Sequence, residues 1–421
     1  MTGGDLDASG RRGLRGSLTR RLRSGPAQLL IGKIALIVSQ GLILLVFARL
    51  EGAATVGRYT LALAIVSPVF LMAHLRMQDV MASHPRVGDV WAAHVRILVI
   101  TSSVALGLTA LIAVAWPSLD LWQFVLPVAA AKWIESLVFT AHGYWQSQGA
   151  YGRVATSTIV RSVAACLSVG VGTWLVGAVF GLALMAAVSA LLILVIERPA
   201  VPSVFGPYGE EPWFRLAFSL APLGVVAMLL SLNQHVVRVV IGAHVGTAAL
   251  GVFAVTAYLV RTGTIVARAI GQGDAHTLRA ARIAGNRDTI YRLGLRSTAY
   301  GVAFGVAIVA VGLLIGPPFI ALLFGPEFRP TRLLIGLVLA AGVPLYGTTA
   351  LSMYTVALGQ HRKYVAVVCV SLAVTAAAAA VLTPLHGLNG AAVGWLVGET
   401  VKLLLMVALL RWSVTRESAD E

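Results

Sequence analysis

The chain has 421 residues, 58% of them hydrophobic and only 12% charged, with a formal net charge of +15. A soluble domain sits nearer half apolar and a quarter charged, so this composition excludes one and indicates a polytopic membrane protein. The apolar runs are continuous rather than alternating at period two, which excludes a β-barrel. An all-α bundle remains, because the bilayer core admits only helices and closed barrels.

Residues 1–27 form a basic segment rich in Gly and Arg with no small-residue cleavage site after a short apolar core. It reads as a cytoplasmic N-terminus, with the first span itself directing insertion. A helix needs about 20 apolar residues to cross the hydrocarbon. Windows of that kind give twelve spans, at 28–50, 57–79, 94–116, 120–143, 154–175, 177–197, 214–242, 250–270, 295–316, 332–357, 364–384 and 389–411. The stretch "ERPAVPSVFGPYGEEPW", Glu197 to Trp213, is rich in Pro, Gly and acid. Residues 198–213 read as a cytoplasmic linker between a six-helix bundle over 28–197 and a second over 214–411, and 412–421 as a cytoplasmic tail.

Basic residues crowd the N-terminus and the even-numbered gaps. The eighth gap alone carries Arg268, Arg279, Arg282, Arg287, Arg292 and Arg296, and reads as a cytoplasmic loop. Odd-numbered gaps are nearly bare apart from Arg49, Arg58, Arg329 and Arg332. By the positive-inside rule both termini are cytoplasmic. Arginines placed this way are orientation signals, not a nucleic-acid-binding tail. Cys166 and Cys369 each lie inside an apolar run, so neither a disulfide framework nor a metal site is expected.

The halves resemble each other. A shift of 194 positions places Gln40 on Gln234, Gly52 on Gly246, Gly57 on Gly251 and Tyr59 on Phe253; a shift of 210 places Tyr144 on Tyr354 and Gly149 on Gly359. Odd spans fall on odd spans, so the repeats run in the same direction, related by an axis along the membrane normal. A chance match of glycines in Gly-rich helices is the competing reading.

A charge at mid-bilayer costs about 2.5–3.5 kcal/mol on an insertion scale and usually faces the bundle interior or water. On the seventh span Ser231, Gln234, His235, Arg238 and Gly242 share one helical stripe, with Asn233 beside it. The eighth holds Arg261, the first Lys33 and Gln40, and the fifth Ser157 and Arg161. The fourth lines up Lys132, Glu135, Ser136, Phe139, His142 and Gln146, and the twelfth carries Glu399 and Lys402. Lys132–Glu135 and Glu399–Lys402 can pair within their own helices, as structural links or as ion-coupling sites. Lys33, Arg161, Arg238 and Arg261 are left without an evident carboxylate. They are expected to face a water-filled cavity that takes an anion, and arginine's planar fork suits phosphate. Each also has a plainer reading. Lys33 and Arg161 lie near enough to an interface to snorkel, Arg238 and Arg261 can bond backbone carbonyls, and His235 is either a packing residue or a proton carrier.

No phosphate-binding loop of the form G-x-x-x-x-G-K-[ST] occurs, and no cofactor is expected. The longest external stretch, "GPPFIALLFGPEFRPTR", has one acid, Glu327, which argues against an enzyme needing several carboxylates or a metal.

Several runs resemble oligosaccharide flippases of the multidrug/oligosaccharidyl-lipid/polysaccharide exporter superfamily. "ARLEGAATVGRYTLALAIVSP" is similar to the signature that opens those proteins, and "LNQHVVRVVIGAHVGTAALGVFAVTAYL" to its second-half counterpart. "LLFGPEFRPTRLLIGLVLAAGVPLYGTTALSMYTVALGQHRK" and "LTPLHGLNGAAVGWLVGE" look like the late spans. The resemblance implies two six-helix bundles around a central cationic cavity, working by alternating access. The implied cargo is a polyprenyl-diphosphate-linked oligosaccharide, carried to the outer leaflet of the cytoplasmic membrane for surface-polysaccharide assembly beside a polymerase and glycosyltransferases. Arg238, Arg261, Arg161 and Lys33 would hold the diphosphate; Gln40, Asn233, Gln234, Tyr258 and Trp133 would contact sugars. Where many members read "N.D" in the seventh span, Gln234 and His235 stand here around the acid's position, and Phe253 replaces the common Tyr. Other readings are a drug or small-metabolite antiporter of the same superfamily, or a membrane scaffold for glycosyltransferases.

Overall fold

The structure, a computed structural model, describes residues 25–83, 87–115, 121–197, 213–358 and 360–415. Its helices are α1 (Gly25–Leu50), α2 (Ala53–Ala73), α3 (Met77–Ser83), α4 (Val87–Ala115), α5 (Trp122–Ser147), α6 (Tyr151–Leu175) and α7 (Ala178–Leu192). They continue with α8 (Trp213–His244), α9 (Thr247–Gly273), α10 (Ala275–Ile283), α11 (Arg287–Phe324), α12 (Arg332–Ala357) and α13 (His361–Thr415). Among the described residues there is no strand. Eleven helices are long and apolar enough to cross a membrane. The longest, α13, has 55 residues and breaks at Gly387 (φ 56°, ψ −136°). At 1.5 Å per residue it is more than twice as long as a bilayer core of about 30 Å, so it supplies two crossings, and the described residues hold the expected twelve. Most of the linker, 198–212, lies outside the described residues.

The basic eighth gap is helical rather than a loop. α9 runs on to Gly273, α10 follows, and α11 begins at Arg287, its N-terminus capped by Asn286 Oδ1, which accepts from the Thr289 N–H at 3.0 Å. Leu278, Ala281, Ile290 and Leu293 turn one apolar face of these helices onto Leu351, Tyr354, Met406 and Leu410. Asp274, between α9 and α10, accepts from Arg296 Nη2 at 2.8 Å, Tyr354 Oη at 3.1 Å and Ser297 Oγ at 3.2 Å. Burial acts to raise this carboxyl, but the three donors outweigh it and hold it below the usual carboxylate range.

Two compact units are present. The first comprises the described parts of Met1–Ile43, Met72–Ile112 and Leu126–Gly224, the second those of Leu44–Leu71, Ala113–Val125 and Val225–Glu421. The divisions fall inside helices, so the end of α1 and most of α2 belong to the second unit. There the repeat is visible as geometry. Gly52 and Gly246 both have positive φ, 87° and 103°. Each closes the preceding helix by a backbone bond five residues back, Gly52 N–H to Phe47 O at 3.0 Å and Gly246 N–H to Ile241 O at 3.1 Å. Both pairs are related by the 194-position shift. So is the contact beyond them, where the Gly57 Cα meets the Thr247 carbonyl and the Gly251 Cα meets that of Ala53. The 210-position shift likewise carries the bond of Ala150 N–H to Trp145 O (2.8 Å) onto that of Gln360 N–H to Thr355 O (3.2 Å). Gly359 itself lies outside the described residues.

A Cβ at Gly57 or Gly251 meets backbone that cannot step aside, whereas at Gly107 and Gly170 it meets nothing within 4 Å. Gly57→Val and Gly251→Val are therefore expected to cost at least the 1–3 kcal/mol typical of overpacking, roughly. The melting temperature in detergent should fall for both, well beyond the fall for Gly107→Val or Gly170→Val.

Candidate functional site

In the second unit, the polar stripe of α8 faces α2. Ser231, His235, Arg238 and Gly242 are buried on one side, with Gly242 against Leu61, while Gln234 is exposed at the edge of the stripe. Arg238 is 7% exposed. Its Nη1 lies 3.5 Å from His235 Nδ1, at the outer limit of a hydrogen bond, in which the imidazole nitrogen accepts. From α9, Arg261 donates from Nη2 to Gln234 Oε1 at 3.2 Å. The two guanidiniums are within electrostatic reach of each other; Tyr59 stands near the first and Tyr258 near the second. Among the described residues, no carboxylate lies within ion-pair distance of either arginine. Ser231 Oγ, buried one turn before His235, has no hydrogen-bond partner among the described residues. The neighbours of this pair accept hydrogen bonds without neutralising charge, an arrangement suited to an anion with several oxygens.

Asn233 is rotated off that stripe. Its Nδ2 donates to Glu399 Oε1 at 3.3 Å, its Oδ1 accepts from Ser371 Oγ at 3.3 Å, and Lys402 pairs with Glu399 on α13. Asn233, read in the sequence as a sugar-contacting residue, is thus engaged with α13 in this structure. One residue along a helix turns a side chain by about 100°, which points it into the seam between α8 and α13.

The first unit gathers the remaining charges and overturns one expectation. Arg161 is not free of a carboxylate. Its Nε and Nη2 donate to the two oxygens of Glu197 at 3.0 and 2.9 Å, and its Nη1 to the Ser189 carbonyl at 3.1 Å. Glu197, read as the opening of the linker, is 1% exposed and ends a π-helical turn, Ile193–Glu197, that continues α7. A turn of that kind advances the chain by one residue relative to an α-helix, and Glu197 ends up facing α6. Ser157 Oγ donates to Glu197 Oε1 at 2.6 Å, and His142 Nε2 lies 2.9 Å from the same hydroxyl. Lys132 and Glu135 pair on α5 as expected, and the next residue on that stripe, Ser136, lies 2.6 Å from His74 Nε2. Trp133 Nε1 donates to Ser103 Oγ at 3.1 Å. Lys33 and Gln40 are exposed on α1.

Glu197, His74, Ser371 and Tyr59 are the partners that hydropathy and spacing passed over. The one signal for Glu197 is an acid directly after an apolar run. Glu197→Gln would leave the Arg161 guanidinium, only 13% exposed, without a counter-ion, a loss of about 3–5 kcal/mol. A lower melting temperature in detergent is the expected readout. Arg161→Met together with Glu197→Met should recover most of it, because both desolvated charges are then gone.

No family model matches the chain. The capsular polysaccharide biosynthesis protein CapF of Staphylococcus aureus is 24% identical over 390 residues, 86% of this chain and 92% of that protein. Among solved structures, the lipid II flippase MurJ in an inward closed conformation has a TM-score of 0.70 at 10% identity, over 90% of this chain and 87% of that one. An inward-facing multidrug resistance MATE family transporter of the MOP superfamily reaches 0.59 at 14% identity, over 94% and 99%. The fold is therefore shared with these two proteins, a lipid II flippase and a multidrug transporter of the MOP superfamily, as the span signatures implied.

Proposed function

We propose that this chain is a flippase of the cytoplasmic membrane, both termini inside, that carries a polyprenyl-diphosphate-linked oligosaccharide to the outer leaflet for surface-polysaccharide assembly. The observation that carries the reading is the Arg238–Arg261 pair. Lys132, Arg161 and Lys402 each have a carboxylate, whereas among the described residues these two cations on adjacent helices have only neutral acceptors. A diphosphate supplies the missing negative charge with oxygens enough for both planar forks. The biosynthetic role of CapF and the lipid-linked cargo of MurJ, as their names state them, favour the same substrate class. Alternating access also needs a contact that closes one end and reopens, and the reciprocal Gly57–Thr247 and Gly251–Ala53 approach has the geometry for it.

The test is leaflet exchange of a fluorescent lipid-linked oligosaccharide in proteoliposomes. Arg238→Ala and Arg261→Ala are each expected to slow exchange at least tenfold, roughly the loss of one charge-assisted hydrogen bond to phosphate. Unchanged exchange in both would remove the pair from the site. No exchange by the wild type, with cation-driven efflux of a dye instead, would replace the flippase by an antiporter.

A further inference from the structure

The second unit carries a basic platform that the transport reading leaves unused. Between Arg268 and Arg296 stand six arginines against two acids, Asp274 and Asp288. Orientation signals need only charge, but these arginines are mounted rigidly. Asp274 is clasped by donors from α11 and α12, and Leu278 and Ala281 bury the inner face of α10. Arg279 and Arg282 are left on its outer face. One stripe of α11, formed by Thr289, Arg292, Leu293 and Arg296, lines an open recess of about 280 Å3. Among the described residues Arg292 meets only Asp288, its carbonyl at 3.4 Å and its carboxylate at 3.9 Å with both side chains three-quarters exposed, a pair that yields easily to a better anion.

The surroundings of the recess identify the kind of anion. α11 has 38 residues, a length of about 57 Å against a hydrocarbon core of about 30 Å. Its apolar run begins only after Arg296, so the recess stands at headgroup depth. Below it the same face continues at helical spacing as an exposed apolar stripe, Tyr300, Ala303, Ala307, Val311 and Leu314. On the other side Ile283, next to Arg282, is 79% exposed, as expected of a side chain that rests in the acyl boundary. A soluble phosphate would use the arginines and leave the stripe without purpose; a lipid uses both.

We propose that this recess and the arginines around it bind the headgroup of an anionic phospholipid whose acyl chains lie along the exposed face of α11. The site is separate from the Arg238–Arg261 pair and does not depend on the proposed cargo.

The test compares purified wild type with Arg279→Gln/Arg282→Gln/Arg292→Gln, leaving Arg296 to hold Asp274. Lipid retained after delipidation is read by native mass spectrometry, and thermal unfolding in detergent is followed as phosphatidylglycerol or phosphatidylcholine is added. Phosphatidylglycerol is expected to stay bound to the wild type and raise its melting temperature, and phosphatidylcholine is not. In the triple variant the phosphatidylglycerol needed for half the effect should rise about tenfold or more, with unfolding in lipid-free detergent unchanged. Equal stabilisation by the two lipids would overturn the site. So would equal stabilisation by soluble glycerol phosphate, or an equal loss in a charge-matched control, Arg11→Gln/Arg12→Gln/Arg15→Gln.

Discussion

At membrane depth a charge or hydrogen-bonding group has no water to fall back on, and the protein itself must supply a partner or a wet cavity. That constraint orders the interior of this chain. Glu135 and Glu399 are each met by a lysine one turn along the same helix. Glu197 is met by a two-pronged arginine, a serine and, through the serine, a histidine. Asn233 is fixed between a carboxylate and a hydroxyl. Against that background Arg238 and Arg261 stand out, because their partners are an imidazole nitrogen and an amide oxygen. Among the described residues each has one neutral acceptor and no counter-ion.

The repeated architecture does not extend to this chemistry. Backbone features recur under the shift: the positive-φ glycines 52 and 246, and the reciprocal approach of Gly57 and Gly251. These are steric requirements that both halves must meet to bring helices together. The interior charges named above do not recur. A shift of 210 carries Arg161 onto Ser371 and Ser189 onto Glu399. In both halves a polar bond joins the corresponding segments within one position of the same place, Arg161 to the Ser189 carbonyl and Ser371 to the Gly398 carbonyl. The joint is kept while its ionic character moves from one helix to the other. Duplicated folds can diverge this way because a joint needs only a donor facing an acceptor, whereas a site needs a particular charge.

The helices were legible because twenty-residue apolar runs have no alternative in a bilayer. The twelfth span was legible as a second apolar window, 389–411, beyond the one ending at 384, and α13 breaks between the two, at Gly387. The lysine–glutamate pairs were legible from their three-residue spacing alone. Glu197 was hidden for two reasons. Its partner lies 36 positions away, and a π-turn, which hydropathy does not register, sets the direction it faces. Asn233 bonds away from Gln234 because a single step along a helix turns a side chain by about 100°, a rotation that adjacency in sequence does not display. The basic eighth gap looked like a loop because arginine masks an apolar periodicity of two residues per helix, Leu278 with Ala281 and Ile290 with Leu293. His235, ambiguous in sequence, stands one three-residue step before Arg238, whose guanidinium it approaches as an acceptor at 3.5 Å.

The two kinds of arginine also differ in what binding would demand of them. Arg161 already holds a carboxylate in the two-pronged geometry a phosphate would use, so a phosphate reaching it must first displace Glu197 and leave that acid buried without its base. The cost of such an orphaned charge is several kcal/mol, comparable to what one charge-assisted contact returns. Arg238 and Arg261 carry no such penalty. They repel each other, their neutral partners hold them in place, and an arriving anion relieves the repulsion while breaking no ion pair. Differential affinity, which any ligand-driven shift between conformations requires, is therefore available at the second unit's pair and largely cancelled at Arg161.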